Sequence, residues 1–87
     1  MELNQSLKII SDTLWQVDNK EDFEKVLEDL LTPAEICELW DRIEILKQLK
    51  ENIPQREIAN KLWISITTVS RWNRLLSYQR KAIHKYI

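Results

Sequence analysis

The sequence predicts an all-α fold built from about six short helices, and three observations favour this class. The chain of 87 residues contains no glycine and only two prolines. Leucine, glutamate, lysine and glutamine, which are good helix formers, are abundant. Apolar residues recur at steps of three and four, the spacing of one helix face. This length suits a single domain with a small core, which oligomerisation commonly enlarges.

The first two predicted helices lie in the N-terminal third of the chain. A helix over residues 3–17 is indicated by a stripe of five apolar residues, Leu3, Leu7, Ile10, Leu14 and Val17. Asp18 and Asn19 interrupt the stripe, and either can cap a second helix that extends to about Leu31. The buried face of this second helix should hold Phe23, Val26, Leu27, Leu30 and Leu31.

The strongest local signal is Thr32-Pro33-Ala34-Glu35, which predicts the start of a third helix. Thr32 can accept a hydrogen bond from the Glu35 amide while the Glu35 side chain reaches back, and proline is favoured at the first helical position. The helix should end near Lys50, where basic side chains complement the helix dipole. Its apolar face is predicted to hold Ile36, Leu39, Trp40, Ile43, Leu46 and Leu49.

Two short helices joined by a tight turn are predicted next. Pro54 can open a helix over residues 55–62, and after a break at Trp63, Ser65 is a good N-cap for a helix over 66–76. This arrangement is typical of a helix-turn-helix. The residues expected between the two helices are Ile58, Ala59, Leu62, Ile64 and Val69. One more short helix is predicted over residues 78–87.

The charge of the chain is divided unevenly between its halves. Residues 1–45 carry four basic and twelve acidic side chains, a net charge of −8. Residues 46–87 carry nine basic and two acidic side chains, a net charge of +7. A basic half indicates a surface for a polyanion, although two solvated helix faces of opposite sign would give the same count.

The second helix of the predicted pair opens with short hydroxylated side chains that suit contacts to DNA. Threonine and serine offer hydrogen-bonding groups, threonine adds a methyl for thymine, and the amides at a helix start attract phosphate. Arginine and glutamine reach phosphates or base edges. The predicted DNA-binding residues are Gln55, Arg56, Ser65, Ile66, Thr67, Thr68, Ser70, Arg71 and Arg74. The alternative is a helical hairpin that only packs within a dimeric protein-interaction module.

These residues resemble the tryptophan repressor-like family over roughly residues 27–78. The resemblance is carried by Leu31-Thr32-Pro33, Leu39, Arg42, Gln55-Arg56-Glu57-Ile58, Leu62 and Thr68-Val69-Ser70-Arg71. The segment from Ser70 to Tyr78 is closer to the uncharacterised bacterial branch of the family than to the enteric repressor.

The resemblance implies a transcriptional regulator, most simply a repressor, that acts on double-stranded DNA as an interlocked homodimer. Residues 1–50 would form the dimerisation core, residues 54–76 the helix-turn-helix, and residues 78–87 a C-terminal helix. The two recognition helices would then enter successive major grooves roughly 34 Å apart.

The resemblance also implies a small-molecule pocket at positions matching Thr32, Arg42 and Arg71. The resemblance implies a small residue after Arg71, but this chain has Trp72, whose indole would crowd the pocket. Arg42 is interpreted as an ion-pair partner of Glu38 or Asp41. We therefore expect no cofactor, with L-tryptophan or another small effector as the alternative.

The tryptophans raise a separate question. Glycine makes up about 7% of an average protein but is absent here, whereas tryptophan occurs four times. Trp63 stands where the turn requires a positive φ, which favours glycine. One hypothesis is that a codon read as glycine in the source organism is written as tryptophan at Trp63 and Trp72. Ordinary divergence is the alternative.

Other functional classes find little support in the sequence. A phosphate-binding loop needs glycine, and the single His84 and single Cys37 form no nucleophile–base pair or metal cluster with the residues around them. The chain is therefore predicted not to be an enzyme. No apolar run is long enough to span a membrane, so a cytoplasmic location without membrane binding is expected.

Overall fold

A computed structural model describes residues 1–78 and 82–87, and it confirms the all-α prediction. The described residues contain no strand. They form five α-helices and one 3₁₀ helix: α1 Leu3–Trp15, α2 Lys20–Leu30, α3 Pro33–Lys50, α4 Gln55–Leu62, α5 Ile66–Tyr78 and the 3₁₀ helix Ala82–Tyr86. The chain divides into two compact units, Met1–Ile36 and Cys37–Ile87.

The N-terminal unit holds α1, α2 and the first turn of α3. Helix α1 ends at Trp15, two residues before the predicted end. Asn19 caps α2, since its side chain accepts a hydrogen bond from the Asp22 amide at 2.8 Å. The expected burial of the α2 apolar face is wrong for a single chain. Phe23 and Leu30 are exposed, because two short helices have too little surface to cover each other.

The start of α3 forms the capping box that the sequence predicts. The Thr32 amide donates to the Glu35 carboxylate at 2.9 Å, and the Glu35 amide donates to the Thr32 hydroxyl at 3.2 Å. Two hydrogen bonds to the carboxylate lower the pKa of Glu35, and the bond from the Thr32 amide has a larger effect than the bond from the Thr32 hydroxyl. The carboxylate form of Glu35 therefore stabilises this helix end.

The C-terminal unit contains the buried core. Four residues from three helices form its centre: Ile45, Ile58, Ala59 and Val69. Leu46 is buried as predicted, but Ile45 was not among the residues predicted for the apolar face of α3. Of those residues, Ile36, Leu39, Trp40 and Ile43 are exposed in one chain. The reason is that α3 carries apolar side chains on more than one side, and α4 and α5 pack on the side of Ile45.

The helix-turn-helix follows the predicted boundaries closely. Helix α4 spans the eight residues expected, and α5 continues two residues beyond its predicted end. Trp63 has φ 59° and ψ 41°, so the turn adopts the left-handed conformation that the sequence analysis required. The Thr68 amide donates to Ser65 Oγ at 3.1 Å, which confirms Ser65 as the cap of α5.

The C-terminal segment is attached to the end of α3. Of the helix predicted over residues 78–87, Tyr78 belongs to α5, residues 79–81 lie outside the described residues, and Ala82–Tyr86 is a 3₁₀ helix. Lys50 Nζ donates to the carbonyl oxygens of His84 and Ile87, each at 2.7 Å. Over the described ranges, no helix is both long and apolar enough to cross a bilayer.

Candidate nucleic-acid interface

All nine predicted DNA-binding residues lie on α4, on α5 or in the turn between them. Ile66 and Thr67 are exposed at the start of α5. Thr68 is partly buried, and its hydroxyl lies 2.8 Å from Ser65 Oγ. The first turn of α5 therefore presents a methyl-bearing and hydroxylated surface around a capped helix end.

Three arginines border this surface. Arg56 lies on α4, Arg71 and Arg74 lie on α5, and all three are exposed. None of them forms an ion pair within the described residues, whereas Lys61 is paired with Glu57 at 3.3 Å. The positive charge of the three arginines is therefore available to an external anion.

Gln55 and Ser70 connect the two helices of the motif. Ser70 Oγ donates a hydrogen bond to Gln55 Oε1 at 2.6 Å, across 15 positions of sequence. Both residues are partly buried. Both residues were predicted to contact DNA, but this bond was not predicted, because spacing along a chain does not reveal which side chains of two packed helices meet.

A cleft of about 250 Å³ lies between α3 and α5. Its lining consists of Glu38, Asp41, Arg42, Ile45, Ile64, Thr68, Arg71 and Trp72. Three of the four residues predicted for an effector pocket, Arg42, Arg71 and Trp72, thus share one cleft. The fourth, Thr32, lies in the N-terminal unit, where its amide and hydroxyl form the helix cap.

The expected ion pair of Arg42 is wrong. Within the described residues, Arg42 forms no ion pair with Glu38 or Asp41. Its guanidinium carbon instead lies over the ring of Trp72, 5.4 Å from the ring centroid. The Trp72 indole also packs against the core cluster. The arginine that the family resemblance assigned to an effector therefore contacts an aromatic side chain of the protein itself.

Glu38 and Asp41 were not among the residues predicted for the cleft. Their spacing could have revealed them, because residues three and four apart share a helix face. Glu38, Asp41, Arg42 and Ile45 follow this spacing along α3. Two carboxylates consequently lie beside the two arginines of the cleft.

The described residues contain no metal-binding cluster, and their single thiol lies at the surface. No group of three or more His, Cys, Asp or Glu side chains in this part of the chain could hold a metal ion. Cys37 is exposed and free. The candidate functional features are therefore the α4–α5 helix pair and the cleft between α3 and α5.

Comparison with known proteins agrees with this geometry. A family profile described as Trp repressor protein matches residues 5–87. A Trp operon repressor homolog of Xylella fastidiosa strain 9a5c is 34% identical over 90 residues, which cover 95% of this chain and 98% of the relative. The homolog of strain M23 is 33% identical with the same coverage. No solved structure gives a significant match.

The fold and the helix pair are those of a helix-turn-helix regulator of transcription. The chain belongs to the Trp repressor family, since the profile covers nearly its whole length. The family resemblance drawn from the sequence is confirmed. Membership places the chain among DNA-binding regulators of transcription.

Proposed function

We propose that this protein is a sequence-specific repressor that binds DNA as a homodimer, with α5 in the major groove. The α4–α5 pair carries the proposal: a capped recognition helix presents short hydroxylated side chains, and exposed arginines flank it. Hydroxyl and methyl groups at the start of α5 would read base edges, and the arginines would bind phosphates. Such a repressor would act in the cytoplasm, where bacterial DNA lies.

A second copy of the chain is the proposed cover for the exposed apolar side chains. Leu3 is 82% exposed and Leu7 62% exposed on α1, and Trp40 is 55% exposed on α3. Apolar surface of this extent on a small chain marks an interaction site. A two-fold dimer would also supply two recognition helices for a near-palindromic site.

The proposed repressor needs no tryptophan as corepressor. In the cleft, Arg42 already lies over the Trp72 ring, and the Glu38 and Asp41 carboxylates would compete with the carboxylate of an amino acid for Arg42 and Arg71. Recovering a ligand pocket against one large packed side chain is costly. A small effector of another chemical class would have to bind beside the carboxylates of Glu38 and Asp41 and the indole of Trp72.

Selection of bound duplexes from a random pool tests these proposals together. The full chain is incubated with the pool at low salt, with and without L-tryptophan, and bound duplexes are sequenced. We expect one palindromic sequence in both arms, and binding that weakens steeply as salt rises. Failure to bind any duplex at low salt would instead support the protein-interaction module, and dependence on tryptophan would refute the corepressor-free mechanism.

A further inference from the structure

We infer that Ser70 is a positioning residue that acts on DNA through Gln55 and does not read a base itself. The inference rests on the proposed DNA-binding function. Its basis is the 2.6 Å hydrogen bond that Ser70 Oγ donates to Gln55 Oε1. A serine within a helix has an alternative acceptor in the carbonyl four residues earlier. Here the hydroxyl instead reaches across to the first residue of α4.

The bond determines which end of the Gln55 amide is free. A glutamine amide has one acceptor oxygen and one nitrogen with two N–H donors, and the two ends exchange by rotation. Because Oε1 accepts from Ser70, Nε2 is turned away from it. Nε2 donates to no other group within the described residues. The Gln55 side chain therefore offers two N–H donors at the start of α4.

These donors lie where a phosphate contact is expected. Phosphate oxygens accept hydrogen bonds and do not donate them, so an amide that presented its oxygen would repel a phosphate. Arg56, the next residue, is exposed and adds a positive charge that forms no ion pair within the described residues. The Ser70 hydroxyl thus keeps the donor end of Gln55 toward the backbone of DNA and reduces the side-chain freedom lost on binding.

A double-mutant cycle on the selected palindrome tests this inference. Affinities are measured for the full-length wild-type protein, Ser70→Ala, Gln55→Ala and the double variant. Ser70→Ala should weaken binding about five-fold in the wild-type background, which is typical of one hydrogen bond, and by less than about two-fold in the Gln55→Ala background. An equal loss in both backgrounds would show that Ser70 acts independently of Gln55, and would overturn the inference.

Two further variants separate positioning from folding. Ser70→Thr retains the hydroxyl and should restore binding, whereas Gln55→Glu can still accept from Ser70 but offers a negative charge in place of the donors. Gln55→Glu should therefore bind more weakly than Gln55→Ala, although both keep their helical circular dichroism. Equal binding by these two Gln55 variants would also overturn the inference.

The base preference of Ser70→Ala gives an independent readout. If Ser70 acts only through a phosphate contact, affinity falls equally for the palindrome and for each of its single-base variants. A change of preference at one base pair would show that Ser70 reads that base, and the inference would be wrong. If the wild-type protein binds no duplex, the proposed function itself fails. If the wild-type protein binds DNA but the losses from Ser70→Ala and Gln55→Ala are additive, only the role of Ser70 is overturned.

Discussion

The guanidinium of Arg42 lies 5.4 Å from the ring centroid of Trp72 and joins α3 to α5. A cation over an indole face contributes about 0.5–1 kcal/mol at exposed sites. Arg42→Met retains much of the aliphatic length but removes the charge, so it should lower the free energy of unfolding by about that amount. Urea denaturation measures the change, and Lys85→Ala is a control because Lys85 is an exposed cation of the same unit. Equal stability of Arg42→Met and wild type would show that the charge contributes nothing.

Trp63 should be replaceable by glycine with a gain in stability. Its φ is 59° and its side chain is 94% exposed, so the indole packs against almost nothing while the backbone bears the cost of the left-handed region. Trp63→Gly should raise the free energy of unfolding by roughly 1 kcal/mol. Asn52→Gly is the matched control, because Asn52 has φ 62° and asparagine tolerates this conformation. A gain at position 52 as large as that at position 63 would contradict the explanation.

Trp72 should behave in the opposite way. This indole is partly buried against the core and lies under Arg42, so Trp72→Gly should cost about 2 kcal/mol of stability. The glycine-codon hypothesis predicts a gain at both positions instead. Thermal unfolding of Trp63→Gly and Trp72→Gly distinguishes the codon hypothesis from ordinary divergence. Mass spectrometry of the peptide spanning residues 63–72, taken from the native host, identifies the residues directly. Glycine in that peptide would establish the codon hypothesis.

The helix boundaries were predictable because local chemistry determines them. The hydroxyls of Ser65 and Thr32 cap helices by accepting hydrogen bonds from backbone amides three residues on, and α4 begins directly after Pro54. The left-handed turn at Trp63 was predictable for the same reason, since two helices separated by so few residues need a residue of positive φ.

Contacts between helices were less predictable. The sequence indicated apolar positions on α3 but not that Ile45 would enter the core, because α3 has more than one apolar side. The Gln55–Ser70 bond and the Arg42–Trp72 contact depend on how neighbouring helices are rotated against each other. Helical periodicity contains no information on that rotation, so it predicted neither these pairings nor the presence of Glu38 and Asp41 in the cleft.

Glu35 should titrate below its ordinary pKa of 4.5, because the Thr32 amide and hydroxyl donate to its carboxylate. A lowered pKa in the folded state means that the stabilisation is present above the ordinary pKa and is lost as the pH falls through the folded value. Thr32→Ala removes the hydroxyl and should raise the Glu35 pKa part of the way to its ordinary value. Carboxyl titration by NMR measures this, and Thr32→Ser is the control that should leave the pKa low. An unchanged pKa in Thr32→Ala would show that the backbone amide alone lowers it.

Arg56 and Thr68 should affect DNA binding in different ways. Arg56 is exposed on α4 without an ion pair among the described residues, so Arg56→Ala should weaken binding to all duplexes alike and reduce the slope of log affinity against log salt by about 1. Lys61→Ala is the matched control, since Lys61 is paired with Glu57 and its substitution should change the slope less.

Thr68→Ala should cost about 1–3 kcal/mol of discrimination at one base pair. Thr68→Ser keeps the hydroxyl that meets Ser65, so a loss that persists in Thr68→Ser identifies the methyl as the group that reads the base. Affinities for the palindrome and its single-base variants at several salt concentrations measure both effects, and unchanged binding in Arg56→Ala and Thr68→Ala would contradict the docking of α5 in the major groove.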